Sequence, residues 1–132
     1  MAELTDYSEN AVLNLMRSVA WTAFDAYVAL FTTATTDAGG GTEVSGGSYA
    51  RQLVGLSAAS GAGGTTSNAS DITFPTATAD WGTVTHVAIM DAATVGNMIM
   101  HSPLDASKTI ATGDTFKINA GDLDVTMAYS RR

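Results

Sequence analysis

The chain is expected to fold as a mainly β domain, an antiparallel, jelly-roll-like β-sandwich of seven or eight strands with one N-terminal α-helix. Three observations carry this expectation. Apolar residues alternate over short runs from Ala26 onward, and Gly, Asp, Asn and Pro interrupt the runs at close intervals. No helical period lies between the strands, which removes the βαβ folds. The 132 residues suffice for one compact domain, divided into 1–22, an amphipathic helix packed on the sandwich or on a neighbour, and 23–132, the sandwich itself.

Asp6 is the expected helix cap, with Glu9 three residues on in the manner of a capping box, although Ser or Thr is the usual cap there. Val12, Leu15, Met16 and Val19 recur at spacings of three and four and form one apolar stripe, which Ala11 and Ala20 extend. Arg17 complements the helix dipole near the far end. A helix of about 13 residues is marginal alone, so its stripe should lie against the domain or a neighbouring subunit.

After Trp21 the period changes. Residues 26–33, AYVALFTT, read as a strand whose near-continuous apolarity predicts burial on both faces. Residues 35–47 form a turn segment with five glycines. From Ser48 a strand places Tyr49, Arg51, Leu53 and Gly55 on one face and Gln52, Val54 and Leu56 on the other. Residues 58–70 have no period and read as a loop. Ile72 and Phe74 point the same way until Pro75 ends the ladder. In residues 83–90, Val84, His86, Ala88 and Met90 should share a face, alternating with Thr85, Val87 and Ile89. Residues 97–101, NMIMH, form the next strand, Phe116 and Ile118 another, and Leu123, Val125, Met127 and Tyr129 the last.

The glycine-rich stretch GGGTEVSGGSYAR, residues 39–51, raises the question of phosphate binding. A phosphate loop needs converging backbone N–H groups before a helix, with Lys and Ser or Thr following in the Walker form. No Lys follows, a strand comes next, and the GxGxxG count from Gly39 ends on Val44. Glu43 would repel an anion besides. The glycines serve positive φ or close packing.

Acid–base candidates are few. His86 and His101 are the only histidines, on different strands, and a structural or interface role with its nitrogens hydrogen-bonded is expected for His86. Zinc would require carboxylates from elsewhere, such as Asp80 or Asp91, and calcium a loop site using Asp37, Glu43 or Asp71. Asp105, Asp114, Asp122 and Asp124 fall in or beside turns, where Asp caps backbone N–H groups. Asn68-Ala69-Ser70 matches a glycosylation acceptor, too common a pattern to carry weight. Trp21 and Trp81 are hydrophobic anchors to the core or to a partner; sugar stacking would need Trp81 exposed. No cofactor, catalytic residue or metal ligand is expected.

Charged residues make up only 14%, with a net charge of -7 and no basic cluster beyond Arg131 and Arg132, which argues against direct nucleic-acid binding. The chain lacks cysteine and any apolar run able to span a bilayer.

The order of motifs is informative as a set. A short helix precedes Tyr27-Val28-Ala29-Leu30-Phe31-Thr32, Gly40-Gly41-Thr42-Glu43-Val44-Ser45-Gly46-Gly47 and Tyr49-Ala50-Arg51-Gln52. Thr66-Ser67-Asn68, Ile72-Thr73-Phe74-Pro75, Ala79-Asp80-Trp81-Gly82-Thr83-Val84-Thr85-His86 and Asp91-Ala92-Ala93 follow. Over roughly residues 8–127 this resembles small tailed-bacteriophage virion proteins, labelled tail fibre or tail-fibre-like and sometimes placed at the capsid. The resemblance implies a non-enzymatic structural protein present in many copies on the virion, with other virion proteins (major capsid or tail proteins) as partners and homo-oligomerisation expected. A capsid decoration or cement role is favoured, with a tail-fibre or receptor- or carbohydrate-binding module as the alternative. Val12, Met16, Trp21, Tyr49, Arg51, Trp81 and His86 are the candidate interface residues.

Overall fold

The computed structural model describes residues 3–61 and 64–126. In chain order its elements are β1 (Glu3–Leu4), α1 (Asp6–Leu15), β2 (Tyr27–Phe31), β3 (Gln52–Leu53), β4 (Thr65–Ser67), β5 (Ile72–Thr73), β6 (Gly82–Met90), β7 (Met98–Ile110), β8 (Lys117–Ile118) and β9 (Asp124–Thr126). The fold is mainly β with one short helix, as the sequence predicts. A five-stranded antiparallel sheet in the order β1-β7-β6-β2-β3 is accompanied by the two-stranded pairs β4-β9 and β5-β8.

β2 lies inside the sheet, between β6 and β3, where Val28, Ala29, Leu30 and Phe31, apolar on both faces, are all buried. Val28 and Leu30 enter the main core with Val84, Val87 and Ile110 of the same sheet. Ile72, Phe74 and Phe116, from the β5-β8 side, close that core as a second layer. The Phe74 ring meets Phe116 edge-on at 5.7 Å and stacks on Tyr49 at 6.2 Å. Burial of a side chain such as Leu30 or Phe74 contributes about 2–3 kcal/mol. On the opposite face Ala29, Phe31, Ala88, Met90 and Met98 form a smaller cluster.

The helix departs from expectation. Its cap is Thr5, one residue before Asp6, and the Thr5 hydroxyl accepts from the Ser8 N–H at 3.3 Å. Thr5 and Ser8 are both buried, and their hydroxyls also donate to the Met98 and Ile99 carbonyls of β7. The helix therefore fastens to the sheet through its first turn rather than through its apolar stripe. It ends at Leu15 after ten residues, and Ser18 takes a left-handed turn (φ 63°) that reverses the chain. Arg17 falls beyond the last turn it was expected to complement.

Other boundaries move for physical reasons. Residues 58–70 are not all loop: β4 pairs with β9, but its Thr-Thr-Ser sequence gives no apolar signal. The strand after Ser48 shrinks to β3, with Leu53 exposed and Val54 buried. β7 runs to Ile110, well past His101. Val84 does not share the face of His86. Thr85 alone lies opposite residues 104–107 of β7, and this irregularity breaks the alternation, so Val84 joins the core of Val87. Of the last predicted strand, Leu123 and Val125 are described, whereas Met127 and Tyr129 lie outside the described residues.

Candidate functional site

The glycine-rich stretch turns out to be a piece of sheet edge. Beyond β2, Thr32 N–H donates to the Thr42 carbonyl at 2.9 Å and Val44 N–H donates to the Leu30 carbonyl at 3.0 Å. Phe31 and Glu43 form a bridge, so the stretch runs alongside β2 before the chain enters β3. Gly47 shows why a glycine is needed. Its φ is +59°, and a Cβ there would lie 2.8 Å from Trp81 Nε1 and 3.0 Å from the Ala79 carbonyl. Trp81 is 5% exposed and donates from Nε1 to the Gly47 carbonyl at 2.9 Å. It is an internal anchor, so the sugar-stacking role that required its exposure has no residue to rest on.

Glu43, Tyr49 and Arg51 are knotted together beside it. Arg51 donates from Nε and Nη2 to the two Glu43 oxygens at 2.9 and 2.8 Å, a bidentate pair. Its Nη1 donates to the Ala92 and Val95 carbonyls at 2.9 and 2.7 Å, which clamps the turn after β6. Val95 in that turn is β-branched yet sits at φ 55°, and its side chain is 84% exposed. The Tyr49 hydroxyl donates to Glu43 at 2.7 Å and accepts from the Leu30 N–H at 3.0 Å. Burial pushes the Tyr49 hydroxyl pKa well up, and its hydrogen bond to Glu43 pushes the same way. Burial also pushes the Glu43 carboxyl up, but hydrogen bonds from Arg51 and Tyr49 with the Arg51 charge outweigh it and hold the group below its ordinary value. The Glu43 hydrogen bond, working against burial, raises Arg51. Tyr49, Arg51 and Trp81, predicted as interface residues, thus spend their polar groups within the chain.

The helix end behaves in the opposite way. Val12 is half-buried, whereas Leu13, Leu15, Met16 and Val19 are exposed, Met16 to 80%. Trp21 is half-buried, meets Tyr7 edge-on at 6.2 Å and lies 5.6 Å from Phe24. Tyr7, Trp21, Phe24 and Asp91 line a shallow cleft there. The apolar stripe predicted from Val12, Leu15, Met16 and Val19 is not absorbed by this domain.

The two histidines share the smaller-core face of the sheet. Cross-strand pairs place Glu3, His101, Ala88 and Ala29 in one row, and Phe31, His86 and Pro103 in the next. His86 is half-buried, with Nδ1 2.8 Å from Thr85 Oγ1. His101 is 8% exposed; its Nδ1 lies 2.7 Å from Thr35 Oγ1 and its Nε2 lies 2.9 Å from Asp37 Oδ1. Glu3 Oε2 stands 3.9 Å from the same Nε2. Thr35, although bonded to an imidazole, is buried, which denies it access to a substrate.

Among the described residues other acidic candidates bond to backbone N–H groups of nearby turns. Asp80 accepts from Thr112 N–H, Asp91 from Asn97 N–H and Asp114 from Ala111 N–H, the turn roles expected of aspartate. Asp71 accepts from Ala120 N–H and pairs with Lys117, and these hold its carboxyl below the usual range, the backbone bond first. Of the three alternatives weighed for a loop calcium site, Asp37 bonds His101, Glu43 bonds Arg51 and Asp71 bonds Ala120 N–H. Asn68 is 2% exposed and bonds the Ser70 and Asn119 carbonyls and the Leu123 N–H, so it is a structural pin rather than a glycan acceptor. Sequence reasoning missed that role and the meeting of Glu3, Asp37 and His101. Both depend on residues far apart in the chain.

No helix among the described residues is long and apolar enough to cross a membrane. Among curated proteins none matches the chain. A family model described as podophage GP4 fiber I protein gp80 matches residues 3–126, nearly the full length. The chain therefore belongs to this family of fibre-like phage virion proteins.

Proposed function

We propose that the chain is a non-enzymatic docking subunit of the phage exterior, present in several copies and held to a neighbouring virion protein by its helix end. The observation that carries this reading is the exposure of Leu13, Leu15, Met16 and Val19 beside a domain whose core is built from other residues. Apolar groups grouped in this way favour a protein partner over water. Its place is in a fibre assembly, as the family description suggests. A capsid decoration or cement role is the second reading. It is favoured by a domain packed around one main core, with no elongated shaft element among the described residues. The acidic net charge of -7 disfavours nonspecific contact with packaged DNA under either reading.

Native cysteine is absent, so Met16→Cys supplies a unique thiol for cross-linking in intact particles. The docking reading expects cross-links from Met16→Cys to a second virion protein or another copy, and none from a cysteine placed at exposed Thr83. Equal labelling from both positions, or none from Met16→Cys, defeats it. A cryo-EM map then decides the location. Density in the fibres supports the first reading, and density spread over the capsid lattice replaces it with the decoration role.

A further inference from the structure

We infer that Glu3, Asp37 and His101 form a zinc(II) site that ties β1 and the loop after β2 to β7. The three donors come from separate parts of the chain, and their ligand atoms all lie within 4.8 Å of one another. Backbone pairing sets this up. Glu3 and His101 are cross-strand partners, so their side chains leave the same face of the sheet. The Asp6 N–H donates to the Asp37 carbonyl at 2.8 Å, which draws the loop over that face. Ala88 and Ala29 continue the row with short side chains, leaving room for the loop.

The imidazole is already oriented as a ligand. Its Nδ1 is held 2.7 Å from Thr35 Oγ1, and an outer-shell acceptor at the second ring nitrogen is what fixes a zinc-bound histidine. In the metal-free ring Nε2–H donates to Asp37 at 2.9 Å. Zinc takes the other tautomer: the ring proton moves to Nδ1, where it donates to Thr35, and the Nε2 lone pair, directed at the two carboxylates, receives the ion with no net change in protons. Tetrahedral zinc with ligands at about 2.0–2.2 Å sets neighbouring donors about 3.3 Å apart. The present separations from Nε2 are 2.9 Å to Asp37 and 3.9 Å to Glu3. Small rotations of two solvent-accessible carboxylates meet that requirement. One nitrogen and two carboxylates suit zinc better than calcium or magnesium, which favour all-oxygen shells. Exposure of Glu3 and Asp37 to 61% and 36% leaves a fourth position for water. The inference is independent of the docking reading, since no helix-end residue takes part.

The test uses the full chain freed of metal with EDTA. Titration with zinc chloride should show one equivalent bound by calorimetry, and the melting temperature should rise by about 5–10 °C at a hundredfold excess over Kd. His101→Ala could unfold the buried site, so the deciding variant is Glu3→Gln with Asp37→Asn, which keeps size and hydrogen-bonding groups. It should melt like the metal-free parent and lose the zinc-dependent rise. Absence of binding by the parent at millimolar zinc overturns the inference. An undiminished rise in the double variant, or an equal rise with calcium, does so as well.

Discussion

The glycine-rich edge around Trp81 and the helix end around Met16 look alike in sequence: each offers large apolar side chains among small residues. Their structures are opposites. At the edge, Trp81, Tyr49 and Arg51 fill one another's hydrogen-bonding and packing needs within the chain. At the helix end, Leu13, Leu15, Met16 and Val19 face outward, and only the first helical turn is tied down. The difference teaches that an aromatic or arginine becomes a docking residue only when its own domain leaves it unsatisfied. Composition does not reveal which case applies.

The sharpest way to break this contrast is to truncate matched residues on the two sides. Trp81→Ala removes a buried ring and its bond to Gly47, and should cost about 4 kcal/mol of stability in urea unfolding. Arg51→Ala comes next. It leaves Glu43 without its bidentate partner and frees the Ala92 and Val95 carbonyls, at about 3 kcal/mol by the same measurement. Gly47→Ala forces a Cβ against Trp81 at a left-handed position, and a loss of about 2 kcal/mol is expected in thermal melting.

Glu43 sharpens the comparison through pH. Its folded pKa lies below the ordinary 4.5, so the ionised form favours folding. That contribution is complete above about 4.5 and is lost as pH falls through the lower folded value. Glu43→Gln should therefore flatten the acid limb of a stability–pH curve; an unchanged limb would show that the knot adds nothing. The smallest effect belongs to the helix end. Met16→Ser should change the stability of the isolated chain by no more than about 0.5 kcal/mol. A loss comparable with that of Trp81→Ala would erase the distinction between the two regions.

Much of the fold was legible because it is local. Continuous apolarity identified β2 as buried on both faces, Pro75 ended β5, and the turn aspartates cap as their positions suggest. The glycine run was correctly read as backbone necessity. The rest depended on partners. β1 has two residues and β4 has none that are apolar, so neither shows a period. The face of Val84 is set by extra residues in β7, outside its own strand. The helix cap was misplaced by one position although Thr5 belongs to the preferred capping type. His101 meets Asp37 across 64 residues of sequence, a separation at which spacing carries no information.

The sheet margins carry one more consequence. Among the described residues both flanking strands, β1 and β3, are two residues long, and β1 covers β7 at Met100 and His101. Farther along β7 stand Pro103, Asp105 and Lys108, residues that resist the zipping of a foreign strand onto a bare margin. Addition of a second strand along this margin is thereby disfavoured, and with it amyloid-like stacking.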